Sequence, residues 1–159
     1  MCLKDEIKQF AKDIGLDMVG FASAEPFLKE KQILEERRSR GLTSPFEEQE
    51  IELRCYPVRL LPGARTIICF AMGYLVNPYE PEETGFTGAW PGSENPSGKI
   101  SRYALIIDYH CILGKKLRAV AEFISKKCGG QCRIVIDNGS LMDKAAAQRA
   151  GIGWIGENT

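Results

Sequence analysis

The chain has 159 residues, of which 44% are apolar and 26% are charged, and it contains 16 glycines and 8 prolines. A chain of this length can bury a core, and its composition excludes disordered, collagen-like and coiled-coil proteins. Its 21 basic residues are balanced by 21 acidic ones, so no net charge draws the whole chain to a polyanion or an anionic membrane.

The first half of the chain predicts two helices and two strands. Apolar residues recur at helical spacing over residues 3–14, and Gly15 is placed to end that helix. A short strand is predicted at residues 17–22 and a second helix at residues 26–40. The strongly apolar segment 66–72 predicts a buried strand at the centre of the sheet.

The second half contains a long polar segment and a well-defined helical pattern. Residues 77–99 are rich in Pro, Gly, Glu and Ser, which is typical of a long loop that is either a lid or disordered. Asp108 is placed to cap a helix that ends near residue 127, with an apolar stripe formed by Tyr109, Leu113, Leu117, Val120 and Ile124. This pattern predicts the best-formed helix of the chain.

The remaining elements indicate the fold class. Residues 133–137 predict a third strand, and Asp143 is placed to cap a short helix through residue 150. Strands alternating with helices are typical of the α/β class, here an α+β sandwich in which a mixed sheet is covered by helices. Because a Gly-rich turn at residues 151–156 stands where another strand normally begins, we expect a truncated sheet and a fragment of a longer protein.

The six cysteines are scattered through apolar segments. The start of the chain lacks the basic residues and the apolar stretch of a secretory signal, so we expect free thiols, a cytoplasmic location and no membrane association. Cys128 and Cys132 form a CxxxC pair, but a structural metal site needs about four ligands and the single histidine, His110, is distant in sequence. We therefore predict no metal site in this chain.

Few motifs carry chemistry. Residues 151–156 match G-x-G-x-x-G, but a dinucleotide-binding turn needs a strand before it and a helix after it. Asp137 follows a predicted strand, at the edge where ligands collect in open α/β sheets, and it is either a proton donor or part of a D-N-G turn. Lys144 is an anion contact in the first turn of a helix or a surface lysine. Arg54 and residues 101–103 are possible pocket residues that spacing alone does not distinguish from surface ones.

These residues resemble those of the epoxyqueuosine reductase family, nearly from one end of the chain to the other. No single motif is decisive, but the order and spacing of the matching residues are specific. They are residues 14–21, Arg54 with Pro57, residues 60–64, Tyr74, residues 108–110 with Leu113 and residues 116–117, Asp137 with Gly139, and Asp143 with residues 149–154 and Asn158.

The resemblance implies a two-electron reduction that removes an epoxide oxygen as water and completes queuosine in tRNA. It implies cobalamin over the substrate, and electrons from a ferredoxin-like domain with two four-iron, four-sulfur clusters. In the family, the aspartate that matches Asp137 is the proposed proton donor, which makes physical sense because an alkoxide leaves poorly unless it is protonated. The implied contacts are Arg54, Ser101 and Asn158 for cobalamin, and Lys144 and Tyr103 for the substrate.

The cluster cysteines of the family are absent from this sequence. The resemblance therefore predicts that residues 1–159 are a single N-terminal cobalamin-binding domain of a longer protein, inactive alone and weak in binding tRNA. Departures from the family pattern keep alternatives open. Among them, Lys144 stands where the family usually has arginine, and the acidic insertion at residues 80–83 would repel tRNA phosphate if it lay near the entrance. The alternatives are a paralogous reductase with another small-molecule substrate, and a non-catalytic module that binds a corrinoid or another ligand.

Overall fold

A computed structural model of the chain describes residues 2–74, 107–137 and 140–156. The described residues form helices and an antiparallel pair of strands, which confirms the α+β class; the parallel part of the predicted mixed sheet is not found among them. The elements in chain order are α1 (Leu3–Asp13), β1 (Met18–Ser23), α2 (Leu28–Ser39), α3 (Ile51–Cys55), α4 (Pro57–Leu60), β2 (Thr66–Ala71), α5 (Tyr109–Cys128) and α6 (Asp143–Arg149).

The two strands are paired over their whole length. Met18 lies opposite Ala71 and Ser23 opposite Thr66. Successive side chains of each strand point to opposite faces of the sheet. Helices cover both of these faces.

One face carries large apolar side chains and packs against α1 and α5. We call this the α1/α5 cluster. Its rings Phe10 and Phe123 are stacked with centroids 4.5 Å apart. The buried members are Ile7, Ala11, Leu16, Val120 and Ile124, and the sheet contributes Val19, Phe21, Ile68 and Phe70.

Charged side chains fasten α5 to α1 at two points. The ammonium group of Lys116 donates to the carbonyl oxygens of Ile14 at 2.5 Å and Gly15 at 2.8 Å. These carbonyls lie just past the end of α1, where the chain turns through Gly15 at φ +77°. Lys127 also forms an ion pair with Glu6 at 2.5 Å. The carbonyls at the end of α1 therefore obtain hydrogen bonds that the helix itself does not supply.

The other face carries small side chains where α6 meets the strands. We call it the α2/α3/α6 cluster, and its buried members are Phe27, Leu34, Ile51, Cys55, Ala145 and Ala146. Gly20 of β1 belongs here, because a Cβ at that position would lie 2.5 Å from the carbonyl oxygen of Ala150. Burial raises the pKa of the Cys69 thiol, on the same face, to about 11. The absence of a side chain at Gly20 lets the end of α6 lie directly against the strand.

The predicted elements agree with the structure in most places. The two strands, α1, α2 and α5 begin and end within about two residues of the predicted positions. The short helices α3 and α4 were not predicted, because neither is long enough to show a period. The whole polar segment 77–99, expected to be a lid or a disordered excursion, lies outside the described residues.

Two predictions need correction. The strand predicted at residues 133–137 is not seen in the described part of the chain, where no residue pairs with this segment. Met142, without a side-chain capping hydrogen bond, occupies the N-cap position of α6, and Asp143, predicted to cap it, is the first helical residue. Within the described residues, no helix is long and apolar enough to cross a membrane.

Candidate functional site

Asp137 lies on the connection between α5 and α6, in irregular backbone. It adopts φ +41°, in the left-handed region that few non-glycine residues occupy, although aspartate tolerates it better than most. Its side chain is exposed, and Oδ2 accepts a hydrogen bond from the hydroxyl group of Tyr109. Asp137 therefore lies at a bend and its carboxylate is held at a defined place, while the next two residues of the predicted D-N-G turn lie outside the described residues.

Tyr109 is positioned by the start of α5. Asp108 caps the helix as predicted: its Oδ1 accepts the backbone N–H of His110 at 2.9 Å and lies 2.9 Å from the ring Nδ1. The ring of His110 stacks on that of Tyr109 with centroids 4.2 Å apart. The backbone N–H of His110, followed by its ring, lowers the pKa of the Asp108 carboxyl. The apolar stripe placed Tyr109 in the core, but its half-buried ring carries a hydroxyl group that reaches Asp137.

The residues just before α6 are attached to α3 and the loop before it. The backbone N–H of Met142 donates to the carbonyl oxygen of Arg54 at 3.3 Å. The hydroxyl group of Ser140 donates to Glu48 at 3.2 Å. The chain around Asp137 is therefore bonded to α5 at one end and to the α3 region at the other.

Arg54 is held by a carboxylate. Its Nη1 lies 2.8 Å from Oε2 of Glu47, and its side chain is 18% exposed. The backbone N–H of Ser44 and then the Arg54 guanidinium lower the pKa of Glu47. Arg54 also lines a cavity of about 10 Å³, the size of about one water molecule. It is thus a fixed cation in the α3 region, beside the residues that follow Asp137.

Lys144 does not have the surroundings expected of an anion contact. Its side chain is exposed, and its backbone N–H is taken by the carboxylate of Asp143 at 2.8 Å. Helix α6 has only seven residues. A carboxylate at the helix start repels an anion, so the helix end gives no support to the predicted role. Ser101, Tyr103 and Asn158 lie outside the described residues.

The Gly-rich turn forms the end of α6. The backbone N–H of Gly151 donates to Gln148, and that of Ile152 donates to Ala147. The first glycine, at φ +73°, therefore ends a helix instead of following a strand, which supports the rejection of dinucleotide binding. Trp154, in the same turn, is 95% exposed. Among the described residues, no group of three or more His, Cys, Asp or Glu side chains is placed to hold a metal ion.

These features define an α+β domain with a carboxylate on a loop between two helices, and comparison with known proteins identifies its family. The family model described as "Epoxyqueuosine reductase QueG, DUF1730" matches residues 54–138, a segment that contains Arg54, Tyr109 and Asp137. Epoxyqueuosine reductases of Staphylococcus aureus and Bacillus cereus are 38% and 36% identical to the chain over 98% of its length. The chain belongs to the epoxyqueuosine reductase family.

Solved structures agree with this assignment. Epoxyqueuosine reductase from Streptococcus thermophilus superposes with a TM-score of 0.81 at 34% identity, over 99% of this chain and 41% of that one. An epoxyqueuosine reductase bound to a modified tRNA-Tyr stem loop gives 0.78 at 33% identity, over 96% and 39%. The Bacillus subtilis enzyme, with a catalytic loop named for an aspartate swung out of the active site, gives 0.78 at 34% identity, over 96% and 38%. The chain spans about 40% of the length of its S. aureus and B. cereus relatives.

Proposed function

We propose that this chain is the N-terminal part of an epoxyqueuosine reductase that reduces epoxyqueuosine in tRNA in the cytoplasm. The family membership and the names of the relatives support this proposal. A similar protein has been solved with an epoxyqueuosine-modified tRNA stem loop, which supports tRNA as the substrate carrier. In this proposal residues 1–159 form one domain and act together with downstream sequence.

Asp137 is the proton donor in this proposal. Reduction of an epoxide to an alkene consumes two electrons and two protons, breaks both C–O bonds and releases the oxygen as water. The oxygen leaves readily only when it is protonated, so a carboxyl group beside it lowers the barrier. The observation that carries the assignment is the loop carboxylate held by Tyr109, and it is supported by the B. subtilis relative, whose catalytic loop is named for an aspartate.

The cofactors of the proposal are cobalamin and two four-iron, four-sulfur clusters, the clusters being held outside this chain. Cobalamin would supply electrons to the epoxide carbon. Of its expected contacts Arg54, Ser101 and Asn158, only Arg54 is described. Its guanidinium retains N–H donors beyond the one that Glu47 accepts, but the cavity it lines is too small for a macrocycle. The described residues alone do not form a corrin site.

The substrate contacts remain Tyr103 and Lys144. An exposed ammonium group still attracts a nucleoside or its phosphate by charge, although Asp143 weakens the attraction. Substitution of Lys144 by Arg tests whether the family's usual residue improves binding of epoxyqueuosine tRNA. A paralogous reductase with another substrate would show no gain.

The decisive experiment uses the complete polypeptide that carries this chain, reconstituted anaerobically with cobalamin and a reductant. Asp137→Asn keeps the shape and hydrogen-bonding capacity of the side chain but removes its acidic proton. We expect queuosine formation in epoxyqueuosine tRNA to fall by roughly a hundredfold or more, because a positioned general acid contributes about 10²–10⁴-fold.

Asp13→Asn is the matched control, because Asp13 is an exposed carboxylate at the end of α1 that accepts from Gln9 at 2.8 Å. It is expected to leave turnover unchanged. Full turnover in the Asp137→Asn protein would remove Asp137 from the mechanism. Binding of cob(II)alamin without turnover in the unsubstituted polypeptide would instead favour the non-catalytic module.

A further inference from the structure

We propose that Tyr109 is a positioning residue for Asp137, and that it selects Oδ1 as the oxygen from which the proton is delivered. This inference rests on the proposed function, because it concerns the same carboxyl group. Its basis is the hydrogen bond from the Tyr109 hydroxyl group to Oδ2 of Asp137.

The selection follows from counting donors and acceptors. A phenol has one O–H donor, and here it is directed at Oδ2. A neutral carboxyl group carries one proton, on one of its two oxygens. Because Oδ2 is already accepting from Tyr109, the carboxyl proton is placed on Oδ1. Oδ1 is then the donor atom, and the substrate oxygen must approach from that side.

The phenol is itself fixed in place. Tyr109 is the first residue of α5, its ring stacks on His110, and Asp108 contacts both the backbone N–H and the ring of His110. Asp137, in contrast, lies in irregular backbone at φ +41°. The start of a helix therefore fixes the side chain of an aspartate that lies in irregular backbone.

The same hydrogen bond acts mainly during the reaction. When Oδ1 releases its proton, negative charge develops on the carboxyl group, and a hydrogen bond to a charged acceptor is about twice as strong as a neutral one. An interaction that strengthens in the transition state changes kcat more than KM. Tyr109 is thus expected to affect the chemical step while leaving substrate affinity unchanged.

The test compares Tyr109→Phe with Tyr56→Phe in the complete polypeptide. Tyr56 packs against the α2/α3/α6 cluster, with the Lys31 ammonium 5.7 Å from its ring centroid, so it controls for loss of a tyrosine hydroxyl group elsewhere. Tyr109→Phe is expected to lower kcat roughly tenfold to a hundredfold with KM within about twofold, since a hydrogen bond to a charged group is lost. Tyr56→Phe is expected to change neither.

A second measurement does not depend on turnover. In protein labelled with [4-¹³C]aspartate, the carboxyl signal missing from Asp137→Asn identifies Asp137. That signal is expected to shift in Tyr109→Phe and to stay in place in Tyr56→Phe. The role of Tyr109 is overturned if Tyr109→Phe leaves the signal unmoved, leaves kcat unchanged or changes only KM, while Asp137→Asn is inactive. Full activity of Asp137→Asn would overturn the proposed function itself.

Discussion

The two faces of the sheet are covered in different ways. The α1/α5 cluster interlocks large side chains, including the stacked pair Phe10 and Phe123, and is fastened by lysines. The α2/α3/α6 cluster uses Gly20 and the alanines of α6 to bring a short helix against the strand. Large side chains hold helices apart from a sheet, whereas small ones permit close approach and leave little freedom to adjust.

The candidate site is bonded to helices of both faces. Asp137 is held by Tyr109 of α5, and Met142 donates to Arg54 of α3. A shift of either helix is therefore transmitted to the loop that carries the carboxylate. We infer that site geometry depends on both clusters, and that the close contact between α6 and Gly20 of β1 tolerates the least change.

The largest expected effect tests the α2/α3/α6 cluster at its centre. Phe27 is 0% exposed, and the Arg149 guanidinium lies 3.7 Å from its ring centroid. Phe27→Ala is expected to lower the free energy of unfolding by about 3–5 kcal/mol, because it removes a buried ring and leaves a cavity. The measurement is urea unfolding followed by circular dichroism.

Phe46 provides the matched control for this substitution. It is 98% exposed, so Phe46→Ala is expected to change the free energy of unfolding by less than about 0.5 kcal/mol. Equal losses in the two variants would show that the cluster around Phe27 is not a packed core.

A smaller effect tests the close approach at the strand. Gly20→Ala places a methyl group 2.5 Å from the carbonyl oxygen of Ala150, and overpacking of this kind costs about 1–3 kcal/mol. Gly153→Ala is the control, because a Cβ there meets nothing within 4 Å. Thermal unfolding should show a lower midpoint for the first variant and no decrease for the second. A Gly20→Ala protein as stable as the parent would mean that α6 can move away from β1.

The smallest effect concerns the start of α5 and its pH dependence. The backbone N–H of His110, followed by its ring, lowers the folded-state pKa of Asp108. Its stabilising contribution is therefore complete above the unfolded value of about 3.9 and is lost as pH falls through the lower folded value. Asp108→Asn retains a capping side chain that does not titrate. The parent should lose its advantage in unfolding midpoint over this variant below about pH 4; a difference constant from pH 6 to 3 would contradict the assignment.

The regular elements were predictable because their signals are local. Helix α5 shows its period over twenty residues, and its cap Asp108 and its end before Gly129 belong to the same stretch of chain. Helices α3 and α4, with five and four residues, are too short for a period to appear. Residues 133–137 have the composition of a strand, but a strand also requires a paired neighbour, which composition does not specify.

The sequence by itself determined the α+β class, the main helices and both paired strands, because apolar spacing and capping residues act within one segment of chain. It also singled out Asp137 and Arg54. Only the tertiary structure decided that the Tyr109 hydroxyl group reaches across 28 positions to Asp137, and that the carbonyl of Arg54 accepts from Met142. Such contacts depend on how separate helices pack on the sheet, and no periodicity within one segment carries that information.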